Sequence, residues 1–336
     1  MKVIDILKKN SGKQFSIEVE PPVLGANIDD LYKFLDPLVN RGIKYVNITY
    51  HAEEIVDYVK QNNFQFPISR RKKPGTVGVA VGIRERYAKK IEPVPHVICT
   101  GFTRYDTEEY LVDLGYMQIE NVMVLRGDGP KDSQGKRLPF KPTPGGHSHA
   151  NQLIEQIVDL RKGKYVGAEK GHPLNFCIGA ACYLEGHPES RQKFRTVGGA
   201  IENELYWSKV KVEAGAEYLV TQMFFDNCFY KKFVEKAREL GIQVPIVPGI
   251  KPLYISRHVE TLPSLFGCSI PEELKKKMIE CGDDKKAVRE VGMGWCVEQC
   301  KDLFDYGVPG IHFFATSGKP VEKDKSLVEE IIERIR

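Results

Sequence analysis

The chain has 336 residues, which at roughly 150 residues per domain means about two domains or one large α/β barrel. Lys and Arg total 49 against 45 Asp and Glu, a net charge of +4 that gives no electrostatic reason to expect nucleic acid or an anionic membrane surface as a partner. Apolar residues at 42% exclude disorder. The longest uncharged run, 171–184, is interrupted by His172, Pro173 and Asn175 and is too short to span a bilayer. The opening MKVIDILKKN has no signal-peptide core before its lysines. These features predict a soluble, cytoplasmic globular protein.

In chain order, short β-branched runs at 15–20, 44–49, 94–99, 121–125, 175–180, 218–221, 244–247 and 310–314 read as strands. Helical stripes lie between them, for example Leu153, Ile154, Ile157 and Val158, then Phe229, Phe233, Val234, Ala237 and Leu240, and finally Leu327, Val328, Ile331, Ile332 and Ile335. RGIKYV, LGYMQIENV, AGAEYLV, LGIQVPIV and YGVPGIHFF repeat one punctuation, a helix-ending Gly followed by an apolar strand. Eight such β/α units predict a (β/α)8 TIM barrel forming one catalytic domain over 1–336, with helical insertions after strands two and seven. EVEPPVLG is not the Gly-rich turn that a doubly wound fold needs after its first strand. In the insertion at 60–92, the basic run Arg70, Arg71, Lys72 and Lys73 reads as a solvated loop. The eight cysteines include no CxxC and read as reduced thiols, with Cys296 and Cys300 in the core.

In such a barrel, chemistry sits at the carboxyl ends of the strands. Those ends offer Glu18 and Glu20, Thr49, the triplet Arg126-Gly127-Asp128, Tyr183, Gln222, and Thr316 to Lys319. No Ser or Cys stands beside an evident base, which argues against a nucleophilic hydrolase. Glu18 and Glu20 are two apart on a strand and share a face. Two carboxylates in a confined site raise one pKa, as general-acid catalysis requires; otherwise Glu20 pairs with a rim lysine such as Lys251 or Lys319. Arg126 and Asp128, side by side at a barrel mouth, can hold a polar heterocycle or a phosphate. His147 and His149 form an HxH pair, but it lies in a Gly-rich loop after strand four rather than on a first strand, and no metal is expected there. Neither nucleotide-loop fingerprint is met.

Eight blocks, SIEVEPP, NITYHA, VPHVICTGFT, VMVLRGD, CYLEGHPES, KVEAGAEYLVTQMFFD, VPIVPGIKPL and GVPGIHFF, stand in register over nearly the whole chain. Together they resemble the methylenetetrahydrofolate reductase family, in its bacterial-type catalytic barrel. The resemblance implies FAD as cofactor, methylenetetrahydrofolate and NAD(P)H as small-molecule substrates, ping-pong hydride transfer, and a place in one-carbon metabolism and methionine biosynthesis. It implies Glu18 as the general acid toward N10 of the folate and Asp128 as the carboxylate that stabilises a 5-iminium cation. Gln222 would contact the substrates, with Thr49 beside it. The flavin would be lined by Thr49, Tyr50, Ala52, His96, Arg126, Gly127, Asp128, His149, Ala150, Tyr183, His187, Ser190 and Lys211. The sequence departs from the family pattern at Glu20, where an apolar residue is usual, and at Glu204, which replaces an aspartate near the adenosine half. Gly318 stands in place of an arginine and His258 in place of a glutamine, so that His258 and Lys319 are the expected contacts to the folate tail. The alternative class is a flavin-free pterin-binding barrel acting in methyl transfer, and a third is an assembly subunit without turnover; His96, Arg126, Tyr183 and Lys211 favour the reductase. The outer helical ring would offer a surface for a homo-oligomer.

Overall fold

The computed structural model describes residues 1–9, 13–88, 90–130, 132, 138–168, 170–194, 197–314 and 322–336. Strands form at Phe15–Val19, Ile43–Ile48, Glu92–Ile98, Asn121–Leu125, Cys177–Cys182, Tyr218–Thr221, Ile246–Val247 with Gly249–Ile250, and Ile311–Phe314. All pair in parallel with their neighbours in chain order, and the last returns to the first through Phe15↔Ile311. The seventh strand is split at Pro248, which has no N–H to give a ladder. Ile246–Val247 pairs with the sixth strand and Gly249–Ile250 with the eighth, so one segment closes the ring. The fifth strand begins two residues later than the sequence pattern suggests, because Leu174 is still bonded back to Leu160 at the end of the preceding helix.

Alternation along each strand sorts the side chains. Phe15, Ile17, Val19, Val46 and Ile48 point outward into the layer between sheet and helices, where Leu35, Leu38, Ile331 and Ile332 cover them. Inward-facing Tyr45, Val94, Met123, Cys177, Tyr218 and Val247 form a second core. The short helix Val3–Lys8 closes that core from the amino-terminal end, burying Val3, Ile4, Ile6 and Leu7, and Asn121 Oδ1 accepts from the Val3 N–H at 2.8 Å. Cys296 and Cys300 are buried, as their spacing suggests.

The helix-ending glycines of the repeated punctuation include Gly42 and Gly307, at φ of 80° and 91°, in the left-handed region. In LGYMQIENV the left-handed residue is instead Gln118, while Gly115 stays within the helix Arg104–Tyr116 against Leu174.

After the second strand comes the expected helix, Thr76–Tyr87, but an antiparallel hairpin of Glu54–Gln61 and Phe64–Arg70 precedes it. Its turn is Asn62-Asn63, at φ of 47° and 64°, the primed geometry that two-residue hairpins favour. After the seventh strand come His258–Phe266, Glu272–Glu280 and Lys285–Tyr306, packed around Leu253, Leu274, Met278 and Val288. No helix among the described residues is long and apolar enough to cross a membrane.

The closure at the seventh strand leaves no room for a side chain. A Cβ on Gly249 would lie 2.2 Å from the Thr221 carbonyl oxygen and 2.5 Å from the Phe314 ring. Gly249→Ala is therefore expected to destabilise the fold by about 1–3 kcal/mol, read as a lower urea midpoint at unchanged m-value; an unchanged midpoint would mean that the ring does not close there.

Candidate active site

The first strand carries Ser16 and Glu18 inward, and Glu20 follows at its carboxyl end. Glu18 keeps 24% of its side chain exposed, with Oε2 3.6 Å from His96 Nε2. Burial pushes its carboxyl up to about 7; nearby Glu20 adds to the effect and Lys251 opposes it. Burial likewise holds His96 down to about 3, so the imidazole is neutral and its contact with Glu18 is not an ion pair.

Glu20 is partnered by Lys73, and His51 Nε2 lies 3.7 Å from its other oxygen. The basic run is thus solvated at Arg70 and Lys72 but half-buried at Arg71 and Lys73. Lys73 neutralises Glu20, Lys72 pairs with Glu54, and Arg71 donates to the Tyr50 hydroxyl at 2.8 Å while lying over its ring. Of the two rim lysines proposed from sequence, buried Lys251 donates to the Phe314 carbonyl at 3.0 Å, and Lys319 lies outside the described residues. Thr49 Oγ1 is 3.0 Å from His51 Nε2, and Tyr50 packs edge-on against Phe102 and Tyr110. Ala52 is half-buried just before the hairpin.

A second group gathers over strands four to six. Arg126 forms a two-pronged pair with Glu189 at 2.7 and 2.6 Å, its guanidinium over the Phe140 ring. Gly127 turns the chain at φ +80°, where a Cβ would lie 2.6 Å from Thr100 Oγ1. Asp128 is exposed at the mouth, its carbonyl accepting from the Thr100 hydroxyl at 2.9 Å. The Tyr183 ring meets His187 edge-on at 4.7 Å, and its hydroxyl is hydrogen-bonded to the Gln222 amide, whose Oε1 accepts from the Met223 N–H. His187 caps the short helix Pro188–Lys193, and Ser190 Oγ accepts from Asn203. Behind them Lys211 donates to the Ala181 carbonyl at 2.7 Å and to Glu204 at 3.1 Å. Burial raises Glu204 and its lysine partner opposes that.

The HxH pair is divided. His147 is buried against Gln156 at 2.5 Å, whereas His149 caps the helix Ala150–Arg161, of which half-buried Ala150 is the first residue, and stacks on Trp207 at 5.2 Å. His258 opens its helix beside Tyr254 at 4.9 Å, and burial with Lys251 and Arg257 nearby lowers it to about 4. Lys73, Trp207, Lys251 and His312 belong to this neighbourhood although the motifs did not single out their roles. For His312 the signal was available, since it alternates inward on the eighth strand. The cavity of about 710 Å³ lined by Arg84, Glu92, Tyr116, Glu120 and Tyr165 lies at the opposite, amino-terminal end and is not this site.

The site thus belongs to a parallel α/β barrel with a carboxyl of raised pKa at the end of its first strand and a cationic, aromatic cradle over its fourth to sixth. The family model described as methylenetetrahydrofolate reductase matches residues 2–335, and the chain belongs to that family. A maize protein named methylenetetrahydrofolate reductase (NADH) 1 is 28% identical over 337 residues, covering 98% of this chain and 50% of the relative. The 5,10-methylenetetrahydrofolate reductase of Salmonella typhimurium is 26% identical over 299 residues, covering 89% and 84%. The chain therefore spans about half the length of its plant relative. Among solved structures, an uncharacterised protein from Clostridium thermocellum that binds two copies of 5-methyl-5,6,7,8-tetrahydrofolic acid aligns over 98% of both chains, with a TM-score of 0.55 at 13% identity. That likeness supports the barrel.

Glu18 ties stability to pH. Its pKa is raised from 4.5 to about 7 in the folded protein, so the folded state holds a proton that the unfolded state releases, and this group's contribution falls as pH rises through that window. Glu18→Gln should therefore match wild type near pH 4 and exceed it at pH 8 by on the order of 1–3 kcal/mol. Thermal melts at the two pH values check this; equal differences at both would show that Glu18 titrates normally.

Proposed function

We propose that the chain reduces 5,10-methylenetetrahydrofolate to 5-methyltetrahydrofolate, with FAD as redox cofactor and NADH or NADPH as hydride source in a ping-pong sequence. The observation that carries this reading is Glu18, a carboxyl placed at the barrel mouth and still protonated near neutral pH. Family membership supports the reaction class.

The residues present fit a flavin dinucleotide. Among the described residues Arg126 pairs with Glu189, whose side chain is 58% exposed, so the guanidinium can turn to a phosphate without stranding a buried charge. At Gly127 the chain turns tightly against Thr100 and Ile98, which holds Arg126 and Asp128 on either side of the turn at the mouth. His149 on Trp207 and Tyr183 beside His187 offer flat, polar-edged faces. Bound FAD would store the hydride between the two substrates.

This chain's own residues would supply proton and charge. Glu18 gives its proton to N10 of the folate, the bond from N10 to the methylene carbon breaks, and a 5-iminium cation forms on the substrate. Hydride delivered to that carbon completes the methyl group. Asp128, exposed at the mouth, sets a negative charge near the cation. Gln222, with its carbonyl side fixed by the Met223 N–H, presents its amide toward Tyr183 and the site.

The visible spectrum of the purified protein with FAD, followed on anaerobic addition of NADH or NADPH, tests the reading. We expect a flavin band bleached by at least one donor and restored by methylenetetrahydrofolate. A protein that takes up no FAD would sink this mechanism and move attention to methyl transfer. In the same assay Glu18→Gln should slow reoxidation by folate about 10²–10⁴-fold while leaving bleaching by the nicotinamide intact; equal loss in both halves would remove Glu18 from the acid role.

A further inference from the structure

Beneath Glu18 the barrel interior is polar where packing alone would make it apolar. Ser16, Asn47, His96 and His312 face inward from the first, second, third and eighth strands, and none is more than 5% exposed. Ser16 Oγ lies 2.9 Å from His312 Nδ1 and also bonds the Tyr45 hydroxyl. His96 Nε2 is 3.6 Å from Glu18. Yet His96 Nε2, His312 Nε2 and Asn47 Oδ1 are buried with no hydrogen-bond partner among the described residues. Each such atom costs about 1–3 kcal/mol when left unsatisfied, and three facing the same interior from the second, third and eighth strands are the kind of partner set that buried water takes. Burial keeps both imidazoles neutral, and His96 is close enough to lower the affinity of His312 for a proton further.

We propose that His312 is a positioning residue for Glu18: its Nε2, with His96 Nε2 and Asn47 Oδ1, binds buried water that ties the Glu18 carboxyl to the Ser16 and Tyr45 side of the interior. The inference rests on the reading of Glu18 as the acid and gives that acid its inner support. Among the described residues, the ionisable groups around the carboxyl are Glu20 on its own strand, His96 on the third and Lys251 after the seventh, with His51 next to Glu20 and His96, and His312 on the eighth beyond His96. Lys73 partners Glu20 and Lys251 bonds the Phe314 carbonyl, so the neutral imidazoles and water fix the carboxyl without adding charge. Water can donate to the carboxylate and accept from the acid, holding one side-chain orientation before and after the proton leaves.

Two substitutions separate this role from packing. His312→Asn keeps an amide within reach of Ser16 and removes the Nε2 arm, whereas His312→Gln restores a polar atom at the Nε2 position. The readout is the protonation midpoint of Glu18 in the resting protein, from its infrared carboxyl band, assigned by its loss in Glu18→Gln. We expect His312→Asn to raise the midpoint by at least about half a pH unit, because the carboxylate loses solvation, and His312→Gln to bring it back toward wild type. Asn47→Leu should shift it in the same direction and serves if His312→Asn does not fold. An unmoved midpoint in the folded variants overturns the proposal, as does an equal shift in the Asn and Gln variants of His312. The infrared readout needs no turnover, so a protein that shows the shift but reduces no folate would overturn the reductase reading and leave the water site standing.

Discussion

The cost of taking the Glu18 carboxyl partly out of water organises this barrel mouth. A carboxyl in that position with a second one two residues on would hold its proton too tightly to serve as an acid if nothing offset the pair. The fold answers by dividing the neighbours. Glu20 is given Lys73, while Lys251 stays near enough to pull Glu18 down but is bonded to the Phe314 carbonyl rather than to the carboxylate. A direct, buried Lys251–Glu18 pair would have fixed Glu18 as a permanent anion. Desolvation is left as the leading cause of its raised pKa, and desolvation acts on the acid without demanding a fixed partner.

The opposite half of the mouth follows different logic. There the cations are paired in advance: Arg126 with Glu189 and Lys211 with Glu204. The two pairs differ in kind. Glu204 and Lys211 are both nearly inaccessible, and breaking such a pair strands a buried charge. Glu189 is largely exposed and can give up Arg126 at little cost. Lys211 is held in place by the Ala181 carbonyl of the fifth strand as well as by Glu204, whereas Arg126 is held by one exposed carboxylate.

Most of this was legible because barrels write themselves in alternation. The inward placing of Glu18, and the grouping of Arg126, Tyr183 and Gln222 at strand ends, follow from counting residues along apolar runs. The hairpin at Glu54–Gln61 and Phe64–Arg70 was not read, because its strands are exposed and lack the one-sided burial on which a period-two signal depends. Its local signal was the Asn62-Asn63 pair between apolar runs, a primed-turn dipeptide that the basic stretch after it obscured. The partner of Glu20 escaped for a different reason. Lys73 is 53 residues away in sequence, and only the return of the chain from the hairpin brings it to the first strand. Charge composition cannot report such a pairing.

That return also shows how an insertion can matter to a site that it does not cover. The tip of the hairpin stands exposed, whereas the segment after it places Arg71 on Tyr50 and Lys73 on Glu20 before the helix Thr76–Tyr87 begins. These two contacts fasten the insertion to the ends of the first and second strands, where the acid sits. The length of the hairpin can therefore vary with little electrostatic consequence, but the spacing from Arg71 to Thr76 cannot. A residue gained or lost there would draw Lys73 away from Glu20, leave the second carboxylate uncompensated, and raise the proton affinity of Glu18 further.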